Sequence, residues 1–195
     1  GMENQVAFWR TVYSKYTTDQ GVLHDTENLN IVYMDIDFKD FNVDQNLSYR
    51  RRERRKQKFV DEKKKEIQQI LLKLDKVGSE EGLNDLELKI WRMFQGINEP
   101  NKFKEAAQKG RIRFQLGQRD RMQSAIFFSG RYLEDMERIF REAGLPIELV
   151  RLVFVESSFN VLARSKVGAS GLWQIMRNTA RPYKMVSKAV DLRNH

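Results

Sequence analysis

Glu156 closes an apolar run that starts at Leu145, LPIELVRLVFVE, and precedes a small, polar stretch, SSFNVLARSKVGASGLWQ, that ends at Gln174. If Pro146 opens a helix, Leu149, Leu152, Val153 and Glu156 recur at i, i+3, i+4 and i+7 and share one face. A carboxylate among apolar side chains is costly to ionise, so it can hold a proton near neutral pH and serve as a general acid. The alternative is a glutamate at the exposed end of its helix, capping it or pairing with Arg151 or Arg164. Periodicity leaves both open. Between Leu149 and Val190, Glu156 is the only acid amid seven Lys and Arg. Glycoside hydrolysis ordinarily uses two carboxylates that flank the scissile bond, so the second role must come from elsewhere in the fold or from the substrate.

In the stretch after the acid, Ser165, Gly168 and Gly171 suit a tight turn and close approach of backbone to a ligand. Gly171-Leu172-Trp173-Gln174 is expected to open a short helix, with Thr179 capping the next. Trp173 fits either a core or a wall on which a sugar stacks. Gln174 carries both a donor and an acceptor, which suits an acetamido group or a sugar hydroxyl.

Upstream elements must position this stretch. Gly144 sits where a helix C-terminus needs a left-handed residue and Pro146 where a first turn tolerates a missing donor, so a helix stops and another restarts there. The stopping helix is expected over 121–143, with Tyr132, Leu133, Met136, Ile139 and Phe140 on one face. Arg111–Asp120, RIRFQLGQRD, reads as a connector. Before it come a short helical piece over 101–108, a helix over 84–97 presenting Leu86, Ile90, Trp91, Phe94 and Ile97, and one long helix over 47–77. Residues 31–38 alternate as a strand, with no second strand of equal strength, and are expected to lie as an extended arm across a helical body or to pair with a small sheet or a partner chain. Residues 3–20 suggest an amphipathic helix striped by Trp9, Val12, Tyr13 and Tyr16, ending near Gly21. The fold class is therefore mainly α: a helical region with an extended arm over 1–110, then a second domain over 111–195.

At 195 residues and 41% hydrophobic, the chain can bury a core. It has no cysteine, which excludes disulfides and thiolate chemistry. His24 and His195 have no ligand-spaced partner, so no metal is expected. No phosphate-binding glycine loop is present, and no cofactor is expected. No apolar run approaches the roughly 20 residues needed to span a bilayer. The net charge of +8 is local: Arg50–Glu66 holds ten Lys/Arg against four Asp/Glu. Arg50–Lys65 suits an anionic polymer or a membrane surface, or is a solvated face whose charges pair with Glu53, Asp61, Glu62 and Glu66. A nucleic-acid partner is the least expected.

The string GLP-x-EL, then V-ESSFN, A-x-S-x-x-GA-x-GLWQ and finally TA resembles the lytic transglycosylases of the lysozyme superfamily, most closely the membrane-bound murein transglycosylase D-like group. The likeness is dense over 112–180. It implies a lysozyme-like helical domain that cleaves the bond between N-acetylmuramic acid and N-acetylglucosamine in peptidoglycan glycan strands. It also implies that Glu156 is the acid/base and that the muramic acid C6 hydroxyl is the nucleophile, giving a 1,6-anhydro product. Ser165, Gly171, Leu172, Trp173 and Gln174 would shape the sugar subsite, and Ser157 would support the glutamate helix. The alternatives are a lysozyme-type hydrolase and a non-catalytic peptidoglycan-binding scaffold. Two departures stand out: Arg177-Asn178 replaces the usual proline before TA, and the family's later tyrosine-bearing motifs would fall beyond His195. The chain is thus expected to carry one wall of the cleft and to be inactive without the other. A periplasmic or envelope location follows from the resemblance, with any leader removed ahead of Gly1-Met2.

Overall fold

A computed structural model describes residues 2–43, 48–187 and 190–194. About half of the chain is helical, accompanied by a small three-stranded sheet, so the protein is mainly α. The chain forms two compact units, Gly1–Arg119 and Asp120–His195.

The first unit contains α1 (Met2–Ser14), β1 (Gln20–Asp25), β2 (Val32–Asp37), α2 (Lys39–Val43), α3 (Tyr49–Leu74), α4 (Asp85–Met93), α5 (Lys102–Ala106) and β3 (Ile112–Leu116). The strands are antiparallel in the order β2-β1-β3. Residues 32–37 form an edge strand of this small sheet, one of the pairings expected for them. The supposed connector is corrected: it holds β3, in which Ile112, Phe114 and Leu116 alternate with Arg113 and Gln115. The central strand β1 escaped notice because it is buried on both faces, which erases the apolar/polar alternation. Val22 packs with Phe8, Val12 and Tyr16 on one side, while Leu23 joins Ile67, Leu71, Ile90 and Phe94 on the other.

The first helix ends at Ser14, and its buried line is Phe8 and Val12, continued by Tyr16 beyond its end, rather than the Trp9 stripe. Gly21 is a strand residue: a Cβ there would lie 2.5 Å from the Gln115 carbonyl oxygen and the Phe114 ring. The close approach of β1 to β3 therefore requires glycine. The long helix spans 49–74 rather than 47–77, and Leu47 lies outside the described residues. Asn84 and Glu87 form a reciprocal capping box at the start of α4, and Lys73 reaches across to the Glu87 carboxylate at 2.7 Å.

Asp25, fully buried at the end of β1, ties this unit together. Its carboxylate accepts from the backbone N–H groups of Glu27 (2.9 Å) and Asn28 (2.8 Å), from the Tyr33 hydroxyl (3.4 Å) and from the Arg111 guanidinium (3.0 Å). Burial and the neighbouring Asp25 charge push the Tyr33 phenol far up, so it stays a donor. His24, also buried and packed on Phe8 with centroids 4.5 Å apart, places Nδ1 2.9 Å from the Asp25 carbonyl oxygen. Burial lowers its pKa, which favours the neutral imidazole. His195 lies outside the described residues.

The second unit contains α6 (Arg119–Ser129, whose first residue belongs to the first unit), α7 (Leu133–Glu142), a 3-10 turn (Ile147–Arg151), α8 (Leu152–Glu156) and α9 (Arg177–Ala180). The single helix expected over 121–143 is two, interrupted around Gly130. There Arg131 and Tyr132 donate to Phe128 and Ser129, three residues back. The expected stop at Gly144 is present: φ is +68°, Leu145 N–H donates to the Phe140 carbonyl and Gly144 N–H to that of Arg141, the two bonds of a Schellman cap. Ala125, Val153 and Phe159 form the small core, flanked by Tyr132, Leu133, Met136, Phe154, Leu172 and Trp173.

Replacing Arg111 by Ala leaves the Asp25 carboxylate buried and short of its cation, and is expected to cost about 3–5 kcal/mol in urea unfolding. Adding Asp25→Asn should recover part of that loss. Full stability in the Arg111→Ala protein would show that the backbone donors suffice.

Candidate functional site

Glu156 is the last residue of α8 and is exposed. Of its expected apolar companions only Val153 is buried, whereas Leu149 and Leu152 are 42% and 51% exposed. Of the two readings that periodicity left open, the structure has the glutamate at the exposed end of its helix. The face exists, but solvent covers it, because the segment opens as a 3-10 turn and the core is small. Among the described residues Glu156 pairs with neither suggested arginine, and Arg151 instead meets Glu137 at 2.5 Å.

The chain leaves Glu156 through a strained bend. Ser158 (φ 52°) and Phe159 (φ 57°) are consecutive left-handed residues without a glycine's freedom. Burial of Phe159, edge-on to Phe154 at 4.7 Å, holds the bend in place. Ser157 donates from Oγ to the Val153 carbonyl at 3.4 Å and so ties the last turn of the glutamate helix.

The loop over 163–175 is built by its own polar groups. Ser165 Oγ accepts from Ala169 N–H (2.9 Å), and the Ser165 N–H donates to the Ala169 carbonyl (2.9 Å). Gln174 Nε2 donates to the carbonyls of Ala163 (3.1 Å) and Gly171 (2.9 Å). Its amide nitrogen is thus committed to the loop, and its Oε1 is what it can offer a sugar donor. Gly171-Leu172-Trp173-Gln174 is a turn and not the expected helix start, with φ +79° at Gly171 and +46° at Gln174. Thr179 caps nothing: it lies inside α9, whose N-cap is Met176. Trp173 stacks on Phe140, centroids 5.5 Å apart and planes 11° from parallel, so one ring face is occupied by the core.

Arg193, which sequence reasoning missed, locks this loop. Nearly buried, it donates from Nη1 to the carbonyls of Gly168 (2.7 Å) and Ile175 (2.9 Å), and from Nε and Nη2 to the Asp191 carboxylate (2.8 and 2.6 Å). Its own carbonyl lies 1.8 Å from where a Cβ on Gly171 would be. Next to it, Ser170 donates from Oγ to Asn194 Oδ1. The available signal was the Asp-x-Arg spacing in VDLRN, since Asp191 is the first acid after Glu156.

Residues 138–195 match the family described as Transglycosylase SLT domain. That stretch covers 58 of the 195 residues, including Glu156 and the whole 163–175 loop. No curated protein and no solved structure matches the chain. The match supports the lysozyme-like lytic transglycosylase superfamily for this stretch, with peptidoglycan as the substrate and lytic transglycosylase activity in general.

Gly171→Ala forces a Cβ into the Arg193 backbone at a left-handed φ, and should destabilise the second unit by at least about 2 kcal/mol, read by Trp173 fluorescence during denaturation in a background where Trp9 and Trp91 are replaced by Phe. A wild-type curve would show that the Arg193 segment moves freely. The hydrogen bonds from Arg193 hold the Asp191 carboxyl well below the usual range. A depressed carboxylate stabilises the fold above its unfolded pKa, about 3.9, and loses that contribution as pH falls toward the folded value. The loop should therefore loosen progressively below about pH 4, and Asp191→Asn should flatten that dependence while weakening the loop at neutral pH.

Proposed function

We propose that this protein is a peptidoglycan lytic transglycosylase of the D-like group that uses Glu156 as its single acid/base. The carrying observation is that one SLT match spans both Glu156 and the loop bearing Ser165, Gly171 and Gln174. Within Leu149–Val190 there is no second acid, which fits a reaction whose nucleophile belongs to the substrate. Glu156 protonates the bridging oxygen as the bond from it to C1 of N-acetylmuramic acid breaks. The resulting carboxylate then takes the proton of the C6 hydroxyl as O6 bonds to C1. No water is consumed, and the carboxylic acid is regenerated.

In this reading Ser165, whose Oγ keeps a free O–H to donate, and the Oε1 of Gln174 contact the sugars beside the scissile bond. Gly171 and Leu172 shape the floor, Trp173 supports it from the core, and Ser157 steadies the acid's helix. The protein would work in the periplasm or cell envelope, where its substrate lies.

Purified sacculi digested with the full-length protein, both cleft walls included, should release muropeptides one water lighter than hydrolytic products, as read by mass spectrometry. Products of full hydrolytic mass would replace transglycosylation by a lysozyme-type hydrolase. Glu156→Gln should lower turnover by a factor on the order of 10² to 10⁴ with an unchanged circular dichroism spectrum. Sacculus binding without turnover by the unmodified full-length protein would favour the scaffold alternative.

A further inference from the structure

A polar cavity of about 560 Å³ opens within the first unit, lined among others by Lys15, Tyr16, Asp35, Asp37, Lys39 and Arg119. Asp35 and Asp37 stand two residues apart on β2 and so face the same side of the strand. The buried Tyr16 accepts from Lys15 Nζ and donates from its hydroxyl to the Asp35 carboxylate, both at 2.8 Å. Asp37 accepts from the Gln20 side-chain amide (3.0 Å) and from the Lys39 backbone N–H (2.8 Å). These bonds, the Gln20 one foremost, hold its carboxyl below the usual range, so it stays charged.

Backbone contacts bring Arg119 to this cavity. Gly117 lies so close to the chain after α1 that a Cβ on it would overlap the carbonyl oxygens of Tyr16 and Thr17, and the Arg119 N–H donates to the Tyr16 carbonyl at 2.8 Å. Each lysine has its own carboxylate, with Lys15 3.8 Å from Asp35 and Lys39 3.8 Å from Asp37. The Arg119 side chain is exposed and, among the described residues, has no acid paired with it. Three cations against two acids leave the lining one positive charge in excess, and that charge is the guanidinium.

We propose that this cavity binds a carboxylate monoanion with N–H or O–H donors close by, the carboxylate on the Arg119 guanidinium and the donors on Asp35 and Asp37. A guanidinium presents parallel N–H groups that match the two oxygens of a carboxylate. One negative charge balances the lining. A phosphate near its dianionic state would exceed that balance and be repelled by both acids. The acids must also keep partners when a ligand displaces water from them, so a carboxylate on a purely apolar tail fits poorly. The end of a peptide chain and a sugar acid both carry the required chemistry. The proposal rests on the first unit alone and is independent of the reaction assigned to Glu156.

The test is an NMR titration of the full chain, labelled with nitrogen-15, with N-acetyl-glycyl-alanine, with glucuronate and with inorganic phosphate at neutral pH. Saturable shifts of the Tyr16, Asp37 and Arg119 amide signals are expected with the peptide, the sugar acid or both, and the tighter of the two identifies the source of the carboxylate. The methyl ester of the peptide, which lacks the charge, should bind about tenfold more weakly or worse. Arg119→Lys should weaken the carboxylate ligand by a similar factor, because a point charge does not replace the fork. The fold should persist in that variant, since the backbone N–H of residue 119 makes the structural bond and the side chain is exposed. Saturation by neither carboxylate, phosphate binding as tightly as they do, or unchanged binding by Arg119→Lys would each overturn the proposal.

Discussion

One guanidinium holds the candidate site in shape. Arg193 reaches two carbonyls of the 163–175 loop and is itself anchored by Asp191, two residues away. A loop of this kind has many carbonyls and few apolar side chains, so hydrophobic burial cannot specify its path. Charge-assisted hydrogen bonds can, because each fixes both distance and direction. The left-handed Gly171 follows from the same contact, since the Arg193 backbone occupies the space any larger residue would need. Ser165 and Gln174 then inherit their positions from a frame that neither of them builds alone.

The first unit solves a similar problem in a different way. Asp25 is a buried charge, expensive unless fully satisfied, and it gathers donors from the β1–β2 turn, from β2 and from the residue before β3. Arg111 also meets Glu27 at 3.0 Å, so the cation too is shared. Both units thus place an arginine where distant segments of chain must meet. In each case the ion pair supplies specificity of path, while the aliphatic and aromatic clusters supply most of the burial.

How much of this could be read beforehand follows from which forces leave a periodic trace. The long helix α3, the start of α4 after Asn84 and the Gly144 stop show plainly, because a 3.6-residue stripe and a left-handed glycine are local signals. The central strand did not, since burial on both faces removed its alternation, and β3 was hidden by its charged flanks. The break near Gly130 was missed because the apolar stripe, Tyr132 to Phe140, begins only after it and carries no signal about the residues before. At the site, the acid, the serine and the glycines stood out by type and spacing. The Asp191–Arg193 lock is a matter of long-range geometry, in which chain neighbours carry little information about the carbonyls they will serve.

The exposed setting of Glu156 bears directly on how one carboxylate could serve as both acid and base. A general acid gains from surroundings that penalise its charged form, whereas the returning base gains from surroundings that tolerate it. A permanently buried glutamate satisfies only the first requirement. Here Leu149, Leu152 and Val155 lie uncovered around the helix that ends at Glu156, with exposures of 42%, 51% and 61%. In the proposed reaction a surface that covered this helix end would desolvate the carboxylate on binding, so desolvation would arrive with the substrate instead of being fixed in the fold. A glycan strand lying across this face would have that effect on binding and reverse it on release. In the proposed reaction the bend at Ser158 and Phe159 would end the helix abruptly after the acid and leave Glu156 at an edge that a ring-shaped substrate can reach.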